Sequence, residues 1–280
     1  MKLRSPDVDA LASDPWPSDL HDAGDALTTR PAPLHFYERV GSTNDLALAL
    51  AAAGAVHGTA VLADLQEAGR GRRGRSWWSP PGAGMYLSVV VRVDRLGPGL
   101  PVLTLAAGVA LASAVREVSG LPVELKWPND LVIGRPWRKL AGILCEATGA
   151  GAGAVVVGMG LNLQRSAYPD DIADRATSMG EEIDRPVSRG ALVAATLGAL
   201  DREVARLAGG DTAAVLAAWR SWADAGLDRA PVRWRDHEGE HRGTTVGVDD
   251  AGALVVRRAG TDAETRLVSG EVVWEMLTRG

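Results

Sequence analysis

Gly69-Arg70-Gly71-Arg72-Arg73-Gly74-Arg75-Ser76-Trp77-Trp78-Ser79-Pro80-Pro81-Gly82 is the stretch on which the reading of the fold turns. Its first six residues match G-x-G-x-x-G. A dinucleotide-binding βαβ unit needs a helix to begin inside that motif, because the helix N-terminus holds the pyrophosphate. Pro80, Pro81 and Gly82 follow too closely for such a helix. The stretch is therefore a loop, and a Rossmann crossover is rejected. Arg70, Arg72, Arg73 and Arg75 repel one another, so the loop is expected to be mobile alone and to order around an anion. Guanidinium forks bond phosphate or carboxylate oxygens, and the glycines let backbone approach them closely. Trp77 and Trp78 suit covering a ring. On these residues alone, a solvated Arg-rich loop or a nucleic-acid patch remains the alternative.

The pattern on either side reads as strands interspersed with helices. Upstream, Leu34–Val40 and Thr59–Gln66 read as strands. Ser42 or Thr43 caps a helix to about Ala53, with Asp45 in its first turn. Downstream, Met85–Val93 alternates as a strand does. Pro101–Ser119 sets Leu103, Ala106, Ala107, Ala110, Leu111 and Ala114 on one helical face. Short strands follow at Val123–Lys126, Leu131–Ile133, Lys139–Thr148 and Ala154–Leu163. Helices follow at Ser188–Leu207, with Ser188 as N-cap and Gly209 as stop, and at Thr212–Asp224. After Gly226, closely spaced strands separated by Gly and Asp turns predict a small β-barrel. The expected organisation is a flexible, acidic, Pro-rich tail at 1–33, a catalytic domain at 34–226 and a small C-terminal barrel at 227–280.

Composition narrows the chemistry. The net charge of −5 disfavours a general nucleic-acid binder, whose surface is usually basic. Cys145 is the single cysteine, which excludes an intrachain disulfide and a thiolate zinc site. The five histidines are scattered, and His237 and His241 read as exposed turn residues, so no protein metal site is expected. Met1–Pro33 has no apolar signal-peptide core, and the Ala-rich stretches are too short or interrupted to span a bilayer. A cytoplasmic protein without a membrane partner is expected.

Three further runs carry modest signals. Lys126-Trp127-Pro128-Asn129-Asp130 is a turn between strands. Lys139-Leu140-Ala141-Gly142-Ile143-Leu144 opens a buried strand with a lysine, which by itself reads as a snorkelling edge residue. Gly158-Met159-Gly160-Leu161-Asn162 ends a buried strand with side chains removed where a ligand approaches backbone. Following Gly41-Ser42-Thr43-Asn44, Gln66 and the Arg/Gly loop in that order, these runs strongly resemble the biotin protein ligase family over about residues 35–276. Trp78 and Pro81 stand where that family commonly has phenylalanine.

The resemblance implies an α+β fold with a central mixed β-sheet flanked by helices, related to class II aminoacyl-tRNA synthetases, and a Src-homology-3-like C-terminal barrel. It implies biotin and ATP as substrates, magnesium, and a biotin carboxyl carrier protein as partner. Dimerisation is common in the family. Residues 1–33 do not resemble the winged-helix repressor domain of some members, so a ligase-only type is expected. By resemblance, Ser42, Thr43, Asn44, Gln66, Arg70, Gly71, Arg72 and Lys139 bind biotin. Arg72, Arg75, Trp77, Asn129 and Asn162 form the adenylate side, and Lys139, Arg70 and Arg72 are catalytic. The reaction implied is formation of biotinyl-5'-AMP, then transfer to a carrier lysine, with Asp130 as candidate proton acceptor. An ionised carboxylate needs no general base, in keeping with a sequence that has no Ser/His/Asp or Cys/His constellation. A lipoate ligase and a nucleic-acid-binding protein are the competing readings.

Overall fold

Runs of β-branched and small apolar residues, buried on both faces of the central strands, build the sheet. The computed structural model describes residues 13–275, apart from 22, 24, 150–152, 167, 228, 237, 262, 269 and 271. In chain order the elements are α1 (Ser18–His21), α2 (Asp25–Thr28), β1 (Leu34–Val40), α3 (Thr43–Ala52), β2 (Ala60–Gln66), β3 (Gly84–Arg92) and α4 (Leu103–Ser119). They continue with β4 (Glu124–Lys126), β5 (Asp130–Ile133), β6 (Arg138–Ala147), β7 (Ala154–Asn162), α5 (Met179–Glu182), α6 (Arg189–Ala208), α7 (Thr212–Trp222) and α8 (Asp224–Leu227). Strands β8 (Pro231–Asp236), β9 (Gly239–Val248), β10 (Leu254–Arg258), β11 (Glu264–Leu267) and β12 (Val272–Trp274) complete the described chain.

The first sheet runs β1-β2-β3-β7-β6-β5-β4. Its β1–β2 pair is parallel and the others antiparallel, so the sheet is mixed, as the family resemblance implies. The second is an antiparallel sheet in the order β11-β10-β9-β8-β12. Hydrogen bonds tie it to the preceding elements. Trp127 Nε1 donates to Gly252 O at 3.0 Å, Arg220 Nη2 to Val248 O at 2.6 Å and Trp274 Nε1 to Gly226 O at 3.3 Å.

Strand alternation sends successive side chains to opposite faces. Leu62, Leu87, Val89, Val155 and Val157 enter the larger core with α4, α6 and α7. Val61, Val90 and Val156 enter a smaller core with Leu46, Ala47 and Ala51 of α3. α3 covers only part of its face, and the uncovered remainder holds the functional cleft described below. The segment Gly99–Ser119 is long and apolar enough to cross a membrane, contrary to the sequence expectation. Within the fold it is a core helix: Ala106, Ala107, Ala110, Leu111 and Ala114 are fully buried.

Residues 13–33 depart from the expected flexible tail. Prolines and aspartates argued against a packed element, yet Leu20 and Leu27 enter the main core, with Leu20 fully buried. Asp14 N donates to Phe36 O at 2.8 Å, and Glu38 N donates to Asp14 Oδ2 at 2.8 Å, so the segment covers the edge of β1. Asp19 and Asp64 both pair with Arg189, at 2.6 and 2.8 Å. Asp14 and Asp19 thus anchor a segment that the aspartates were expected to keep unpacked. Residues 1–12 lie outside the described residues. Leu20→Ala is expected to destabilise the protein by about 2–5 kcal/mol, as for other large-to-small core changes. Urea unfolding followed by tryptophan fluorescence checks this, and an unchanged midpoint would show that the segment does not contribute.

Candidate active site

The uncovered face of the first sheet has a floor without side chains. Register places Gly142 opposite Gly160 and Leu144 opposite Gly158 on β6 and β7, with Ser88 of β3 opposite Gly158 on the other side. A Cβ on Gly158 would lie 2.1 Å from Asn44 Oδ1. A Cβ on Gly160 would lie 2.5 Å from the Trp77 ring, and one on Gly142 3.1 Å from it. These glycines therefore admit one amide and one indole against the strands.

The N-terminus of α3 forms one end of the cleft. Ser42 is its N-cap in extended conformation but makes no side-chain capping bond. Thr43, Asn44 and Gln66 are organised by one another and by the sheet. Thr43 N and Oγ1 both donate to Gln66 Oε1, at 2.9 and 3.0 Å, and Gln66 Nε2 donates to Ser79 Oγ at 2.9 Å. Ser88, fully buried, donates to Asn44 Oδ1 at 2.6 Å. Asn44 Nδ2 donates to Glu146 Oε2 at 2.7 Å. Polar groups under an apolar helix are thus held in fixed orientation.

The Arg/Gly loop crosses this cleft, and its charges have partners within the protein. Arg70 Nη2 lies 2.7 Å from Asp45 Oδ1 and 2.8 Å from Glu146 Oε2. Arg72 Nη1 donates to Asn129 Oδ1 at 3.1 Å, while Asn129 Nδ2 donates to Ile143 O at 2.8 Å. This corrects the picture of four guanidiniums that only repel. The turn is closed by Gly71 N donating to Arg75 O at 2.7 Å, with Arg73 in the left-handed region at φ 59°. Burial lowers the Arg72 pKa from its ordinary value, opposed by Asp130 and reinforced by Arg73 and Arg75. Such a partly desolvated cation is favoured by an incoming anion.

Lys139 faces the same space. Its Nζ lies 2.7 Å from Asp130 Oδ1 and 5.3 Å from the centre of the Trp77 ring. The snorkelling-edge reading is not what the structure gives, since Lys139 points into the cleft. Asn162 Nδ2 donates to Thr177 O at 2.9 Å. The cleft encloses about 420 Å³ and is lined by every residue singled out from the sequence as a biotin or adenylate contact. Trp137, Tyr168, Arg175 and Trp274 also line it and were missed. They lie in segments with no periodic signal or in the second sheet.

Other groups are not poised for chemistry. Burial pushes the Cys145 thiol up to about 11, so it stays protonated at neutral pH and is no nucleophile. His237 lies outside the described residues. His241 is not an exposed turn residue but sits on β9, with Nε2 2.8 Å from Asp236 Oδ1. Asp236, Glu238 and His241 offer three ligand atoms within 4.8 Å of one another. Arg258, however, lies 3.2 Å from Glu238 and 2.8 Å from His241 Nδ1, and already supplies a positive charge there.

A model of the Biotin/lipoate A/B protein ligase family matches residues 36–162. The bifunctional ligase/repressor BirA of Bacillus subtilis is 32% identical over 227 residues, covering 80% of this chain and 69% of that protein. The biotin–[acetyl-CoA-carboxylase] ligase of Paracoccus denitrificans is 36% identical over 229 residues, 78% of this chain and 92% of the relative. The solved biotin protein ligase from Aquifex aeolicus in complex with biotin and ATP superposes with a TM-score of 0.74 at 27% identity. That alignment covers 86% of this chain and 97% of the other. With these matches resting on the same cleft-bearing region, the chain belongs to the biotin protein ligase family.

Gly158→Ala is expected to destabilise the protein by about 1–3 kcal/mol, because the added methyl collides with Asn44. Removing the obstacle as well, in Gly158→Ala with Asn44→Ala, should give a loss smaller than the sum of the single variants. Denaturant unfolding of the three variants checks this, and strict additivity would contradict the contact.

Proposed function

We propose that the cleft binds biotin and ATP side by side and performs two successive transfers. The observation that carries this reading is the meeting of the α3 N-terminus, the Arg/Gly loop and Lys139 over a floor of glycines. The chain is a biotin protein ligase, and biotin and ATP are its substrates. Ser42, Thr43, Asn44 and Gln66 present hydroxyl and amide groups suited to the polar ring of biotin. Arg70, Gly71, Arg72 and Lys139 lie toward its carboxylate. Arg72, Arg75, Trp77, Asn129 and Asn162 receive the nucleotide, with the indole and the two amides matched to a flat base.

In the first transfer a carboxylate oxygen of biotin attacks the α-phosphorus of ATP, and pyrophosphate leaves. The nucleophile is already ionised, so this step needs alignment of two anions and neutralisation of their charge. Arg72 and Lys139 supply fixed positive charge near the reacting atoms. In the second transfer a carrier lysine amine attacks the carbonyl of biotinyl-5'-AMP, and AMP leaves. Asp130, held by Lys139, is the nearest carboxylate to receive the amine proton. The loop over the cleft limits access of water to the mixed anhydride. Magnesium fits a cleft in which Asp130 is the one lining carboxylate among the described residues, because triphosphate oxygens provide most of its ligands. When bound it would neutralise phosphate charge.

A biotin carboxyl carrier protein is the acceptor. The second sheet is read as a Src-homology-3-like barrel and the first as related to class II synthetases, with the boundary near residue 226. A cytoplasmic setting and a homodimer fit the same reading. Lipoate ligation is the enzymatic alternative, disfavoured by the Arg/Gly loop and the second sheet.

Lys139→Ala should lower biotin-dependent exchange of pyrophosphate into ATP by about 10²–10³-fold, the usual loss for one preorganised charge donor. Exchange near the wild-type rate would overturn the role of Lys139.

A further inference from the structure

Arg70 is held by two carboxylates that lie outside the cleft-lining set. Asp45 projects from the first turn of α3, at 2.7 Å, and Glu146 from β6, at 2.8 Å. Glu146 uses the same oxygen, Oε2, to accept from Asn44 Nδ2 at 2.7 Å. Strand alternation puts Glu146 on the face of Gly142 and Leu144, next to the glycine floor. The three charged side chains are partly exposed, between 30% and 55%. Pairs so exposed contribute little to global stability. Their geometry therefore points to local position rather than folding. The loop backbone closes on itself, with Trp77 N donating to Gly69 O at 2.8 Å and Arg70 bridging Ser76, whereas the Arg70 side chain ties it to α3 and β6.

We propose that Asp45 and Glu146 are positioning residues that anchor the Arg/Gly loop through Arg70, and that Glu146 links this anchor to the orientation of Asn44. Closure of the loop and the alignment of the ring-recognising amide then share one carboxylate. Arg70 serves first as the loop's anchor, and Arg72 and Lys139 carry more of the charge neutralisation. This inference rests on reading the cleft as the biotin-activating site.

Glu146→Gln separates the two contacts. The neutral amide keeps an oxygen that accepts from Asn44, but it removes the charge that holds Arg70. Asp45→Asn weakens only the other half of the anchor. Tryptic cleavage within residues 70–75 reads the anchor without reference to activity. In both variants it should quicken by about tenfold while the unfolding midpoint stays at the wild-type value, as for a local opening. Asp45→Glu should restore protection in part. In pyrophosphate exchange, Glu146→Gln should raise the KM for biotin with little change in kcat. Glu146→Ala, which also removes the carboxylate contact of Asn44, should raise KM further. Cleavage at the wild-type rate in Glu146→Gln and Asp45→Asn would overturn the proposal, as would faster cleavage that tracks a lowered unfolding midpoint. Absence of biotin-dependent exchange in the wild type would instead overturn the reading of the cleft, and the cleavage comparison would still decide the anchor.

Discussion

Three missing side chains govern this molecule. Gly142, Gly158 and Gly160 lie together on one face of the sheet, where any Cβ would press on Asn44, Trp77 or Lys139. A valine at each position would extend the smaller core beneath α3. Glycine instead leaves the strands bare, so that an indole can lie on one part of them and an amide on another. The N-terminus of α3, the Arg/Gly loop and Lys139 acquire a shared space only because of that floor. Stability comes from elsewhere, from the dense Ala- and Leu-rich packing of α4 and α6 on the opposite face.

Charge is distributed over the floor in opposed pairs. Arg70 faces Asp45 and Glu146, Lys139 faces Asp130, and Arg72 meets the neutral Asn129. A loop of four arginines is thereby tolerated in a protein of net charge −5. Burial lowers the pKa of Arg72, and its hydrogen-bond partners are uncharged. An anion entering the cleft would offset that desolvation.

Much of the architecture was legible because alternation and helical spacing are strong signals. Leu34–Val40 was read with its observed bounds, and the rejection of a Rossmann unit rested on Pro80, Pro81 and Gly82. Ser188 and Gly209 mark the ends of α6 as expected. Composition misled at α1 and α2, where Pro15, Pro17 and the aspartates outweighed Leu20 and Leu27. Burial of two leucines and the salt bridges of Asp19 depend on α6 and β2, which sequence proximity does not reveal. Glu146 and Asp45 were missed as partners of Arg70, although counting by twos from Gly142 leads to Glu146. Ser178 and Glu181 form a capping box whose S-x-x-E spacing was available but unused. Trp137 and Trp274 could not be found this way, because their place in the cleft depends on how the second sheet packs.

In the proposed function, one cleft both activates biotin and delivers it to a carrier lysine. Intact-mass spectrometry of a biotin carboxyl carrier domain, incubated with the protein, biotin and Mg-ATP, tests it most directly. A single added biotinyl group on the carrier is expected, dependent on ATP and lost when the acceptor lysine is replaced. A carrier that keeps its unmodified mass under those conditions would contradict it.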